Sequence, residues 1–263
     1  MTVWLASGNA HKKKELGSIL AIPDACTGIG AEPEHKFMLK IPADAGLTFD
    51  PEENGDSFHE NALIKAMELH RLLLKQGLFN PGDAVIADDS GICVDALDGR
   101  PGIYSARYTG LSGGRYAGPT ENQYKKIPHK DHKDTKEEPN FTDCTPQPRL
   151  TDSERNTLLL GEMAGKSQRS ARFVCAIALV YSADNYYIAQ ETLEGRLAES
   201  PGGNNGFGYD PILFIPELGC TVAELSEAEK NRISHRARAA RAIAKILINN
   251  STTLTTKNKN DTI

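Results

Sequence analysis

Apolar residues fall in short runs that alternate with stretches of helical spacing. Residues 2–6 (TVWLA) form a run of strand length, Gly8 breaks it, and Leu16, Ile19 and Leu20 recur at helical spacing over Lys12 to Leu20. From Ser57 the pattern predicts a long helix with Phe58, Asn61, Ala62, Lys65, Ala66, Leu69 and Leu72 to Leu74 on one side; Ser57 with Glu60 forms a capping box. Ala84 to Ala87 is a second buried strand, running straight into Asp88-Asp89-Ser90-Gly91. Asn156 to Met163 reads as a helix, and Phe173 to Tyr181 (FVCAIALVY) as the strongest strand. Tyr186 to Leu197 alternates as its hairpin partner, with Ala183-Asp184-Asn185 at the turn. Pro211 to Ile215 is a further short strand, Ser226 with Glu229 a second capping box, and Ala237 to Ile248 an Ala-rich helix. Residues 21–49 hold many turn formers and yield no element. Strands alternate with helices first and a hairpin follows, so the expected fold class is α/β with a mixed β-sheet.

The length of 263 residues suits one large domain or two lobes sharing a sheet, at ~150 residues per domain. Pro119 to Arg149 holds five of the 14 prolines and a single aliphatic residue, Ile127. That stretch cannot support a core, so a polar insertion over about 115–152 is expected inside a single domain of residues 1–250. The polar tail, 251–263, reads as frayed. Lys and Arg number 30 against 35 Asp and Glu, a net charge of −5. A net acidic chain is a poor partner for a nucleic-acid polymer, whose phosphates require a basic face. The five cysteines are scattered with no C-x-x-C, which predicts neither a disulfide framework nor a zinc knuckle. No apolar stretch reaches 18 residues, and the basic cluster Lys12-Lys13-Lys14 follows the first apolar run, the reverse of a secretory signal. No membrane partner and a cytoplasmic location are therefore expected.

Five segments carry candidate chemistry. Ser7-Gly8-Asn9-Ala10-His11-Lys12 lies between strand and helix, where free N–H groups and Lys12 would hold an anion; a capped helix with a solvated lysine run is the plain alternative. Asp88-Asp89-Ser90-Gly91 sets two acids at a strand's carboxyl end, where α/β sheets gather ligands. Neighbouring strand residues point to opposite faces, so one acid of the pair faces a ligand and the other anchors. Their oxygens are the hard ligands Mg²⁺ prefers, or the segment is only an acidic turn. Glu52-Glu53-Asn54-Gly55 is either a set of helix-dipole partners or a second source of metal ligands beside Asp89. Gly206-Phe207-Gly208-Tyr209-Asp210 offers a ring to stack on a base and an acid to accept base N–H groups, or a turn plugged by a core Phe. Lys230 and Ser234-His235-Arg236 converge only if the helix breaks near Ser234.

Together SGNAHKKKEL, ENGDSFHENALIKA, ADDSGICVDAL, PGIYSARY, GGNNGFGYDPILF and LSEAEKNRISHRARA resemble the inosine triphosphate pyrophosphatase family, in the family's order and over nearly the whole chain. The DDSG and FGYDP forms resemble its bacterial branch, which acts on dITP, ITP and XTP. The resemblance implies a long mixed sheet with flanking helices, two lobes around a nucleotide cleft, a Mg²⁺-dependent homodimer, and hydrolysis of a nucleoside triphosphate to the monophosphate and pyrophosphate. It implies triphosphate binding by Ser7, Gly8, Asn9 and Lys12, with Ser90 also at the phosphates. It makes Glu52 a metal ligand, and Asp89 both general base and metal ligand. Phe207, Gly208, Tyr209, Asp210, Lys230, His235 and Arg236 become the base- and substrate-recognition groups. The long Pro119 to Arg149 stretch and Ser7, where many members have Thr, depart from the family pattern. A nucleotide sensor without turnover, and a pyrophosphatase for another modified nucleotide, are the competing readings.

Overall fold

A computed structural model describes residues 1–8, 10–21, 38–110 and 150–260; Asn9 and the bulk of the expected insertion lie outside these. Within the described residues, seven strands form one sheet in the order β2-β1-β3-β4-β5-β6-β7. They are β1 Thr2–Leu5, β2 Met38–Lys40, β3 Ala84–Val94, β4 Ser170–Ser182, β5 Asn185–Leu197, β6 Leu213–Ile215 and β7 Cys220–Thr221. β1 runs parallel to β2 and β3, and every later pairing is antiparallel. The sheet is therefore mixed, as the order of elements implied.

Among the described residues, five α-helices surround it: α1 Ala10–Ala21, α2 Phe58–Lys75, α3 Asp152–Glu162, α4 Glu227–Ile233 and α5 His235–Asn260. Helix α2 covers one face, burying Phe58, Ala62, Ala66, Leu69 and Leu73 against Trp4, Val85, Ala87, Val174, Ala176 and Ala178. Helices α1 and α5 cover the other with Leu16, Ile19, Ala240, Ile243 and Leu247 over Val3, Leu5, Ile86, Ile177 and Leu179. A third cluster fills the far end, where Leu159 and Met163 meet Ile92, Phe173, Leu193, Ile212 and Leu213. Alternate residues of β3 and β4 serve both faces, which is why these strands read as unbroken apolar runs.

Several boundaries differ from the sequence reading. β3 does not end at Ala87 but continues to Val94, paired along its length with β4. The acidic motif is thus mid-strand and not a turn. Glu60 does not close a capping box with Ser57: its amide donates to Ser57 Oγ, but its carboxylate accepts from Asp56 N. α3 begins at Asp152, so the end of the expected insertion belongs to a capped helix. α5 runs on to Asn260, through most of the tail read as frayed. β2 was hidden by turn formers and, among the described residues, pairs with β1 at the edge of the sheet. Among the described residues, no helix is long and apolar enough to cross a membrane.

Candidate active site

β1 pairs with β3 only from Val3–Leu5 to Ala84–Ile86. Past the end of β1, β3 stays paired with β4. Its other edge meets the Pro101–Ser105 segment only from Gly91 on, through Ile92 N to Ser105 Oγ and a Cys93–Pro101 bridge, and Asp88, Asp89 and Ser90 lie between the two. The two acids point to opposite faces, as strand geometry requires. Asp88 turns toward α1 and α5. Its Oδ2 lies 2.9 Å from Lys12 Nζ and 3.2 Å from Arg236 Nε. Arg236 also donates to Glu15 Oε2 at 2.7 Å and to Ser90 Oγ at 2.8 Å. Burial alone would raise the Asp88 pKa, but the charges of Lys12, Arg236 and Lys65 outweigh it and hold the carboxyl well below the usual range. Asp88 is an ionised anchor.

Asp89 turns toward α2. Asn61 Nδ2 donates to it at 3.3 Å, and Lys65 Nζ lies 3.5 Å away. Lys65 also reaches Glu53 Oε1 at 2.6 Å, and Arg107 is 3.6 Å from Glu53 Oε2. Burial raises the Asp89 pKa and, with Glu53 and Asp88 nearby, prevails over the pull of Lys65 and Lys12. An acid with a raised pKa is a better proton acceptor near neutral pH.

The expected metal ligand Glu52 is a correction: it is exposed, and Glu53 lines the cavity instead. Exposure alternates along Pro51 to Ser57, as in any extended segment, so adjacent acids face opposite ways. Glu53 and Asp89 offer two hard carboxylates on one cavity wall. Among the described residues, no group of three or more His, Cys, Asp or Glu is placed to hold an ion. That donor set fits Mg²⁺, which is held by one or two carboxylates plus substrate phosphates and not by a closed protein cage.

The cavity, about 290 Å³, continues from these acids past Lys12, Ser90 and Arg107 to Phe207, Lys230 and His235. A second, about 460 Å³, adjoins it across Phe207 and Lys230, with Glu15, Asn205 and Asn231 on its walls. Lys230 Nζ sits 4.5 Å above the Phe207 ring and the Arg236 guanidinium 5.5 Å from it. Asp210 accepts from Lys230 Nζ at 2.6 Å and from Phe207 N at 2.8 Å, so it builds the turn from within. Tyr209 likewise anchors, its hydroxyl donating to Ser105 O at 2.8 Å. Gly206 is required there: its φ is +78°, and a Cβ would stand 2.0 Å from Asp210 Oδ2. His235 stacks on Phe173 at 4.9 Å. Burial, then the charges of Arg236 and Lys230, push its pKa well down, so it is neutral at pH 7.

Of the phosphate segment, Lys12 reaches the cavity; Ser7 and Gly8 follow β1 without lining it, and Asn9 lies outside the described residues. Sequence reasoning missed Glu15, Asn61, Lys65, Arg107, Asp152 and Arg155, and within the acidic segment it chose Glu52 over Glu53. Asn61 and Lys65 had left a signal, since both fall at i and i+4 on the apolar stripe of α2, where polar residues need partners.

The Ham1 family model matches residues 3–145 and 141–246. The chain belongs to the Ham1 family. It is 37% identical to the dITP/XTP pyrophosphatase of Treponema denticola, over 94% of this chain and 98% of that one. It is 39% identical to the dITP/XTP pyrophosphatase of Thioalkalivibrio sulfidiphilus, over 92% and 96%. Among solved structures it resembles the Staphylococcus aureus Ham1 protein, with a TM-score of 0.66 and 29% identity, covering 95% of this chain and 100% of that one. A HAM1 protein from Coxiella burnetii gives 0.65 at 30% identity, over 95% and 99%. The mixed sheet and its flanking helices are thus the Ham1 fold.

Proposed function

We propose that the protein hydrolyses dITP, ITP and XTP to the monophosphate and pyrophosphate. The observation that carries this is the continuity of the cavity: it joins two carboxylates and Lys12 at one end to an aromatic platform at the other. Its relatives' names point to the same reaction.

A divalent ion, Mg²⁺ in this reading, held by Glu53, Asp89 and the substrate's own phosphates supplies charge neutralisation there. Lys12, fixed by Asp88, adds positive charge where the phosphate oxygens gather. Asp89 accepts a proton from the water that attacks the α-phosphorus, and the bond from that phosphorus to the bridging oxygen breaks to free pyrophosphate. Asn61 and Lys65 keep Asp89 aimed.

The base lies against Phe207, with the second cavity beside it. Among the described residues, Glu15 Oε1 is buried there without a hydrogen-bond partner, and Lys230 lies on the same rim. A 6-oxo purine matches both, with an N1–H for the carboxylate and an oxygen for the ammonium. Adenine reverses both groups, and a buried site rejects unpaired polar atoms strongly. These contacts sort purines by their 6-position and leave guanine undiscriminated.

Incubation with Mg²⁺ and ITP, XTP, dITP, GTP or ATP, with pyrophosphate as the readout, tests the reading. ITP, XTP and dITP are cleaved well and ATP poorly, and Asp89→Asn loses about 10²–10⁴-fold. Equal rates on ATP and ITP would overturn base selection; an Asp89→Asn variant as fast as wild type would overturn the mechanism. The same reading makes the enzyme a cytoplasmic homodimer, which light scattering checks as twice 28.6 kDa.

A further inference from the structure

Phe207 stands between two glycines of positive φ, Gly206 at +78° and Gly208 at +65°. Such backbone is permissive and by itself leaves the ring free to swing. Gly208 is held at both of its backbone polar groups by one helix. Its N–H donates to Asp152 Oδ2 at 2.6 Å, and its carbonyl accepts from Asn156 Nδ2 at 3.1 Å. Positions 152 and 156 are i and i+4, so they project from one side of α3. Arg155 donates to the other Asp152 oxygen and to Leu150 O, which fixes the direction of the carboxylate. Asp152 is not needed to start the helix. Thr151 and Glu154 complete the capping box between themselves. Asp152 lines the same cavity as Glu53 and Asp89, but the bonds of Asp152 and Asn156 run to Gly208 and Arg155.

We propose that Asp152 and Asn156 are positioning residues that clamp Gly208, hold the Phe207 ring in one place, and thereby set the affinity for the nucleobase. This rests on the reading of Phe207 as the base platform. The physical reason is preorganisation: a ring already fixed between its glycines loses no freedom when a base stacks on it. The effect is confined to the base end, because the phosphate groups are held by β3, α1 and α2 instead.

The test is calorimetric titration of wild type, Asp152→Ala, Asp152→Asn and Asn156→Ala with α,β-methylene ITP and, separately, inorganic pyrophosphate, each with Mg²⁺. Asp152 is exposed, so its alanine variant keeps the fold. Asp152→Ala and Asn156→Ala weaken the ITP analogue about tenfold and leave pyrophosphate affinity unchanged. In turnover they raise KM for ITP more than they lower kcat. Asp152→Asn retains an acceptor in the same place and restores analogue binding. Unchanged analogue affinity in Asp152→Ala, a parallel loss of pyrophosphate affinity, or failure of Asp152→Asn to restore binding would overturn the clamp. Wild type that binds the analogue but releases no pyrophosphate from ITP would overturn the functional reading alone, since the clamp is read from binding. Wild type that binds neither ligand would overturn both.

Discussion

Asp88 and Asp89 are neighbours with opposite electrostatic fates. Asp88 meets two cations on the α1 and α5 side, and they outweigh its burial. Asp89 meets one ammonium already shared with Glu53, and burial wins. Asp88→Asn leaves Lys12 and the fully buried Arg236 short of a counter-charge, which costs about 3–5 kcal/mol. A carboxyl held below its unfolded value near ~3.9 contributes stability in full above that value and loses it as pH falls toward the lower, folded value. Thermal melts of metal-free protein from pH 7 to pH 3 should therefore show wild type losing stability below about pH 4, with Asp88→Asn lower throughout and without that share of the loss. The pairing of roles was readable from the alternation of a strand. That Glu53 and not Glu52 faces the cavity was not, because either register of an extended segment fits the same letters.

Helix ends decide whether the cationic residues converge. Ser234 closes α4, its N–H donating to Lys230 O, and opens α5, its hydroxyl accepting from Ala237 N at 3.1 Å. The break expected near this residue is therefore real, and it puts His235 and Arg236 on the first turn of a new helix while Lys230 faces the same space from the old one. Ser234→Ala removes the cap and should cost ~1 kcal/mol, seen as a lower melting temperature. It should also raise KM for ITP, since the turn that carries Arg236 is no longer fixed. Caps were easy to anticipate because a Ser with Glu three residues on is a local signal, yet Ser57 and Glu60 form only half of one. The extension of β3 past Ala87 was not local: it is sustained by seven residues, Asp88 to Val94, in register with β4, which lies far along the chain.

At the scale of the molecule, the proposed ion site draws on two carboxylates among the described residues, Glu53 and Asp89, and in this proposal the substrate completes it. Chelation should abolish pyrophosphate release and leave the melting temperature of the nucleotide-free protein unchanged; unfolding on EDTA would mean the ion is structural. The mixed sheet, the helices that cover it, and the segments that carry chemistry follow from apolar periodicity, capping residues and motif order, all of which act over a few residues and so are written locally. Which side chains meet does not. Lys65 bridging Glu53 and Asp89, Arg236 shared by Glu15, Asp88 and Ser90, and α3 gripping Gly208 each join elements distant in the chain. Such contacts exist only once β1 ends short of Asp88 and the three hydrophobic clusters fix the helices around that stretch of β3.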